Sequence, residues 1–254
     1  FDLLGPDSSS SFLHDLMTRF AEKNATGWPS WALSNHDVVR VGSRWGGESA
    51  DVRKLRVAAA FQMCLRGSPC LYQGDELGLP EAQVAYEDLQ DPYGITMWPE
   101  FKGRDGCRTP MVWEAHAHHA GFTTGAPWLP VKAPQAARAV DLQEADAASV
   151  LNAYRATLSF RTSRDELRLG ATEFPVLPEP LLAIRRSYGG KVLTGVFNLS
   201  DRAIGLSVEG KAQAVGPMAA HLAGGKLELP PNGFIYLEEE GAVNFAPSKV
   251  TALA

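Results

Sequence analysis

The sequence predicts an α/β region followed by an all-β domain, and three observations carry that prediction. From residue 1 to about 168, short apolar runs alternate with stretches of helical period. The apolar runs there are continuous rather than alternating, as in strands covered on both faces by helices. Beyond residue 168 the pattern changes to short β-rich runs parted by turn sequences.

The elements follow in order. "FDLL" at residues 1–4 reads as the end of a strand that began earlier. Residue 1 is Phe, and no charged segment leading into an apolar one marks a secretory leader, so the chain is expected to lack its natural beginning. Ser10 and Ser11 are placed to cap a helix through "FLHDLMTRFAEKN", where Phe12, Leu16 and Phe20 share a face. "WPSWALSN" opens as a strand after a proline turn. "ADVRKLRVAAAFQMCLRG" is a helix that Gly67 stops, and "SPCLYQGDELG" is the next strand with its loop. Residues 79–142 are rich in Pro and Gly, a length of irregular chain that compact domains reserve for functional loops. "SVLNAYRATLSFRTS" is the last long helix. "PLLAIRRSYG", "KVLTGVFNLS", "AIGLSVEG" and "FIYLEEE" then read as antiparallel strands of a β-sandwich. The expected domains are 1–168 and 169–254.

Composition narrows the function. With 254 residues, 45% hydrophobic and 21% charged, the chain can bury a substantial core. A net charge of −5 and a pI near 5.7 offer no electrostatic footing for nucleic acid or an anionic membrane surface. No apolar run has the length that spans a bilayer. Cys64, Cys70 and Cys107 lack the spacing of a zinc or redox motif and read as reduced, packed thiols.

Three polar clusters stand out, two of them where strands end. In "WALSNHDVVR" the apolar run stops abruptly at Ser34-Asn35-His36-Asp37. Asp37 there suits a general base or an acceptor for substrate hydroxyls, and equally suits the capping of a turn. "YQGDELG" ends the next strand, and Asp75 and Glu76 read as partners that fix its loop. "KGRDGCRTPMVW" carries Arg104, Asp105 and Arg108 among glycines, with Asp105 and Arg108 expected to form an internal ion pair. His116, His118 and His119 fit no metal geometry and read as a solvated loop.

"SNHD", "YQGDELGLP", "DPYG" at residues 91–94 and "GRDGCRTPMVW", in that order and followed by a β domain, resemble the α-amylase superfamily of glycoside hydrolases. More narrowly they resemble its bacterial α-glucosidase and oligo-1,6-glucosidase branch. The resemblance implies the C-terminal portion of a (β/α)8 barrel, with strand 6 at "FDLL", strand 7 at "WALS" and strand 8 at "PCLYQG", then the family's C-terminal β-sandwich. It implies that Asp37 is the third catalytic carboxylate, holding the 2- and 3-hydroxyls of the glucose undergoing cleavage. His36 is implied to donate to the same hydroxyls, Arg104 to line the pocket and Glu81 to touch the aglycone at its rim.

A retaining glycosidase also needs a nucleophile and an acid/base. The family supplies these from strands 4 and 5, which precede this stretch. The resemblance therefore implies a small α-glucoside substrate and, as partner, the N-terminal half of the same protein. No cofactor is implied for these residues, and a structural divalent cation would belong to the preceding part. Sucrose isomerisation and trehalose synthesis use the same site. A different class, the non-enzymatic amylase-fold heavy subunits of transporters, would carry an upstream membrane span and lose pocket residues. Cytoplasm and periplasm fit the sequence equally.

Overall fold

The computed structural model describes residues 2–24, 26–47, 49 and 51–247. The helices are α1 (Ser10–Lys23), α2 (Val41–Arg44), α3 (Val52–Cys64), α4 (Pro92–Thr96), α5 (Ala133–Ala136), α6 (Val140–Glu144), α7 (Val150–Ser163) and α8 (Asp165–Leu169). Strands β1 (Ser30–Ala32) and β2 (Ser68–Cys70) pair with each other. Strands β3 (Ala171–Glu173), β4 (Leu181–Tyr188), β5 (Lys191–Asn198), β6 (Ile204–Val215), β7 (His221–Ala223), β8 (Lys226–Leu229) and β9 (Phe234–Pro247) form a seven-stranded antiparallel sheet. By packing, the chain divides into two units. One holds Phe1–Pro6, Ala32–Leu55 and Cys70–Tyr154, the other Asp7–Trp31, Arg56–Pro69 and Arg155–Ala254. No helix among the described residues is long and apolar enough to cross a membrane.

In the first unit the long irregular segment is ordered because it carries its own core. Leu77, Leu79, Val112, Ala120, Ala139 and Leu151 pack together, and Ala82, Val84, Leu89 and Leu129 form a second cluster against Trp98. A segment with little regular structure must satisfy its buried backbone by other means. Two buried amides do so. Gln143 donates through Nε2 to the carbonyls of Leu77 (2.9 Å) and Arg138 (2.8 Å), and its Oε1 accepts from the Leu151 amide. Gln135 donates to the Pro80 carbonyl at 3.0 Å.

In the second unit the sheet runs β3-β4-β5-β9-β6-β8-β7. Val196, Leu206, Leu227, Ile235 and Leu237 form the centre of its apolar core. Helix α3 ends against buried arginines. Arg161 donates to the carbonyls of Met63, Leu65 and Gly67, and Arg186 to that of Cys64 at 2.8 Å. The last carbonyls of a helix have no partner within it, and cations are favoured there. Gly67 is required at this stop: its φ is +121°, and a Cβ would lie 2.4 Å from the Pro29 carbonyl oxygen.

Five local expectations are revised. "FDLL" does not pair as a strand; Asp2–Leu4 form a 3-10 turn, with Phe1 outside the described residues, because a strand holds its form only with a neighbour to complete its ladder. Helix α1 is capped by Ser9, whose Oγ accepts from the Phe12 amide, one residue before the expected serines. The β-rich strands pair into one sheet, not two. The run "AIGLSVEG" continues past Gly210, which has φ +107° at a register shift between Glu209 and Lys211, and so β6 reaches along both segments of β9. Strands β3 and β7, three residues each, are too short to show an alternating pattern, and β8 alternates over only four residues. Among the described residues no cysteine forms a disulfide; Cys64 and Cys107 are buried, but Cys70 is exposed rather than packed.

Candidate active site

The loop after β1 is built by its own polar residues. Asn35 Oδ1 accepts from the Asp37 amide at 2.8 Å, an Asx turn. Buried Ser34 accepts from the Val41 amide at 2.9 Å and so ties the loop to the start of α2. Two other residues thus make the turn, which leaves the Asp37 carboxylate uncommitted to local backbone. Beyond it, Arg40 is fully buried, its Nη1 on the Gln73 carbonyl (2.6 Å) and its guanidinium 5.3 Å from the Tyr72 ring centre. Arg44 donates to the carbonyls of Leu3, Gly5, Leu33 and Val39. The loop is therefore anchored from beneath by two arginines that neutral carbonyls hold in place.

Asp37 faces three cationic or polar groups. Its Oδ1 accepts from Arg104 Nη1 at 3.1 Å and from Arg108 Nη2 at 3.3 Å. His36 Nε2 lies 3.5 Å from Oδ2. The Asp37 side chain is 48% exposed and that of His36 68%. A carboxylate oxygen has two lone-pair sites. The arginines fill both on Oδ1, and Oδ2 remains open beside His36. A half-exposed carboxylate with one oxygen saturated and the other free is fitted to receive hydroxyl donors.

Arg104 is held more firmly by another residue. Its Nε and Nη2 both donate to Asp91 at 2.9 Å, a bidentate fork, and its backbone amide donates to Asp91 Oδ2 at 2.8 Å. These hydrogen bonds hold the Asp91 carboxyl well below the usual carboxylate range, with burial a smaller opposing effect. Tyr93 packs its ring 5.2 Å from the Arg104 guanidinium.

The expected Asp105–Arg108 ion pair does not form. Buried Asp105 accepts instead from the amides of Gln90 (2.6 Å) and Asp91 (2.8 Å), and Arg108 turns to the His36 carbonyl (2.8 Å) and Asp37. The reason is that two backbone amides left without partners in an irregular loop claim the nearest carboxylate. Glu81 does not join Asp37 either. Its Oε2 accepts from the Arg40 amide at 2.9 Å, and a Cβ on Gly106 would lie 2.3 Å from Oε1. Burial raises the Glu81 carboxyl above its ordinary value.

The "YQGDELG" loop is fixed by Glu76, which accepts from the Gly74 amide at 2.8 Å, and by Gly74 and Gly78, both at positive φ. Asp75 is buried, and burial pushes its carboxyl up to about 6 against the opposing pull of Ser34 and Arg40. Among the described residues no group of three or more His, Cys, Asp and Glu could hold a metal ion. His118 and His119 lie ring to ring at 3.8 Å, apart from the cluster around Asp37.

The sequence thus pointed to Asp37, His36 and Arg104, which the structure brings together, and missed Asp91 and Arg108. "DPYG" reads locally as a helix cap, and Asp91 does cap α4 through the Tyr93 amide. Nothing within those four residues reveals that the same carboxylate grips an arginine thirteen positions away.

Residues 7–170 match the family model described as the α-amylase catalytic domain. The chain is 46% identical over 205 residues to the "Probable alpha-glucosidase" of Rhizobium meliloti strain 1021, covering 80% of this chain and 37% of that protein. It is 33% identical over 218 residues to the oligo-1,6-glucosidase of Heyndrickxia coagulans, covering 76% and 38%. Among solved structures, the α-glucosyl transfer enzyme XgtA superposes with a TM-score of 0.89 at 47% identity, over 94% of this chain and 45% of that one. The trehalulose synthase MutB of Pseudomonas mesoacidophila MX-45, at 23% identity and a TM-score of 0.78, shares the fold. The chain spans less than half the length of each of these relatives. With the family match extending over well more than half of its residues, the chain belongs to the α-amylase family.

Proposed function

We propose that the protein containing this chain hydrolyses terminal α-glucosidic bonds of short α-glucosides with retention of configuration. In this reading residues 1–168 are the closing part of a (β/α)8 barrel, with β1 and β2 as its strands 7 and 8, and residues 169–254 are its C-terminal β domain. Asp37 is the third catalytic carboxylate. The supporting observation is its asymmetric setting: Oδ1 is saturated by Arg104 and Arg108, while Oδ2 stands open beside His36. Two adjacent glucose hydroxyls can donate to Oδ2, with His36 Nε2 donating to one of their oxygens.

The glycosidic bond breaks through an oxocarbenium-like transition state, in which the ring flattens and contacts to the 2-hydroxyl strengthen. An ionised acceptor at that position stabilises the transition state more than the bound substrate, which is what raises turnover. The two arginines fix the direction of the Asp37 carboxylate. Glu81 acts at one remove, holding the Arg40 amide so that the Asp37 loop keeps its path. The nucleophile and the acid/base come from the part of the protein that precedes these residues.

A second reading has its own support, since a structure 47% identical is of an α-glucosyl transfer enzyme. Hydrolysis and transfer share the glycosyl-enzyme intermediate and differ in whether water or a sugar hydroxyl attacks it. The intact Asp37, His36 and Arg104 cluster speaks against a non-enzymatic relative. The test is proton NMR of the whole enzyme acting on p-nitrophenyl α-glucoside, with and without an added sugar acceptor. Initial release of α-glucose supports retention, a new disaccharide with acceptor supports transfer, and initial β-glucose refutes the reading.

A further inference from the structure

We propose that Asp91 is a positioning residue for catalysis, acting through Arg104 on Asp37. The inference rests on the reading of Asp37 given above. An arginine fork has five N–H donors in a fixed plane. In Arg104, the edge formed by Nε and Nη2 is bound to the two oxygens of Asp91, at 2.9 Å each. That leaves Nη1 to reach Asp37 Oδ1 at 3.1 Å. Arg104 is in this sense a rigid spacer between two carboxylates, and the carboxylate that fixes it is the buried one: the Asp91 side chain has no exposed surface, against 48% for Asp37.

The surroundings of Asp91 hold it in place from both sides. Asp105 Oδ2 accepts from the Asp91 amide, while Asp91 Oδ2 accepts from the Arg104 amide, a reciprocal staple between residues 90–91 and 104–105. The two segments approach so closely that a Cβ on Gly103 would lie 2.8 Å from the Gly94 Cα and 3.0 Å from Asp91 Oδ2. A bidentate carboxylate pair adds direction as well as strength. The charge matters too. Asp91 offsets one of the two guanidinium charges beside Asp37, so that Asp37 meets oriented donors without an excess of positive field. Without Asp91, Arg104 would be free to turn both nitrogens onto Asp37 and draw Oδ2 away from the hydroxyls.

The test is Asp91→Asn in the whole glucosidase, assayed on p-nitrophenyl α-glucoside well below the measured Tm of each variant. The proposal expects kcat to fall about 10-fold or more with KM changed less than about 3-fold, the pattern of an interaction used in the transition state. It also expects Asp91→Asn to add little to the loss already caused by Arg104→Lys, since both disturb the same fork. Full turnover in Asp91→Asn, or losses that multiply in the double variant, would overturn it. Should Asp91→Asn fail to fold, Asp91→Glu keeps the charge and moves the carboxylate by one methylene. Reduced kcat at near-native Tm in that variant supports the proposal, and unchanged kcat overturns it. Asp37→Asn run alongside separates the two levels. If Asp37→Asn is inactive while the Asp91 variants are normal, only the positioning role fails. If Asp37→Asn is itself active, the reading of the site fails.

Discussion

Replacing Asp37 by Asn removes one oxygen's charge while leaving the side chain's shape. The structure sets the cost on each side. For folding, the lost partners are Arg104 Nη1 and Arg108 Nη2 on a carboxylate that is 48% exposed. Ion pairs at that exposure are worth about 1 kcal/mol or less each. Arg104 also keeps its fork on Asp91, so neither the loop nor the arginine loses its main anchor. Asp37→Asn should therefore lower stability by about 2 kcal/mol at most. For catalysis, a preorganised group aimed at the reacting ring is worth about 2.7–4 kcal/mol, a factor of about 10² to 10³ in turnover. The assay is steady-state hydrolysis of p-nitrophenyl α-glucoside by the whole enzyme, with thermal melting of the same samples. Turnover within a few-fold of the parent, or a loss of rate that tracks a loss of fold, would refute the reasoning.

Other outcomes follow from the same geometry. Arg104→Ala should lower both turnover and Tm, because it strips the fork from a carboxylate with no exposed surface. Arg108→Ala, whose partners are the His36 carbonyl and a half-exposed carboxylate, should lower turnover with a stability change below about 1 kcal/mol; paired kinetics and melts of the two variants check this. Asp75→Asn should raise Tm at pH 8 and leave it unchanged at pH 4. The Asp75 carboxyl titrates near 6 when folded and near 3.8 when not, so its burial is harmless below pH 4 and costs stability as pH rises through 6, up to about 3 kcal/mol. Melts across that range that show the same gap at both pH values would count against it. Gly42→Ala should destabilise by about 1–3 kcal/mol, since its Cβ would sit 2.3 Å from the backbone oxygen of Leu79, and urea unfolding would show it.

Part of this was legible in the sequence for a physical reason. Helices α1, α3 and α7 and strands β4, β5 and β9 carry the long periodic or apolar runs that local pattern reports well. Asp37 and His36 were legible because four polar residues abruptly end an apolar run. Arg104 was legible by family resemblance. What the sequence hid depends on contacts between distant residues. Asp105 could have faced Arg108 or the amides of residues 90 and 91, and only the folded loop shows that the amides win. The same holds for Asp91, which its local sequence marks only as a helix cap. "FDLL" has the composition of a strand, but a strand is completed by its neighbour.

The central proposal is that this chain supplies the residues that hold the substrate hydroxyls, while the nucleophile and the acid/base come from elsewhere in the protein. It is tested most directly by measuring α-glucoside hydrolysis with three samples: the 254-residue chain alone, the preceding segment of the protein alone, and the two combined or joined as one chain. Hydrolysis only in the third sample, abolished there by Asp37→Asn, is the predicted result. Hydrolysis by the 254-residue chain alone would contradict the account.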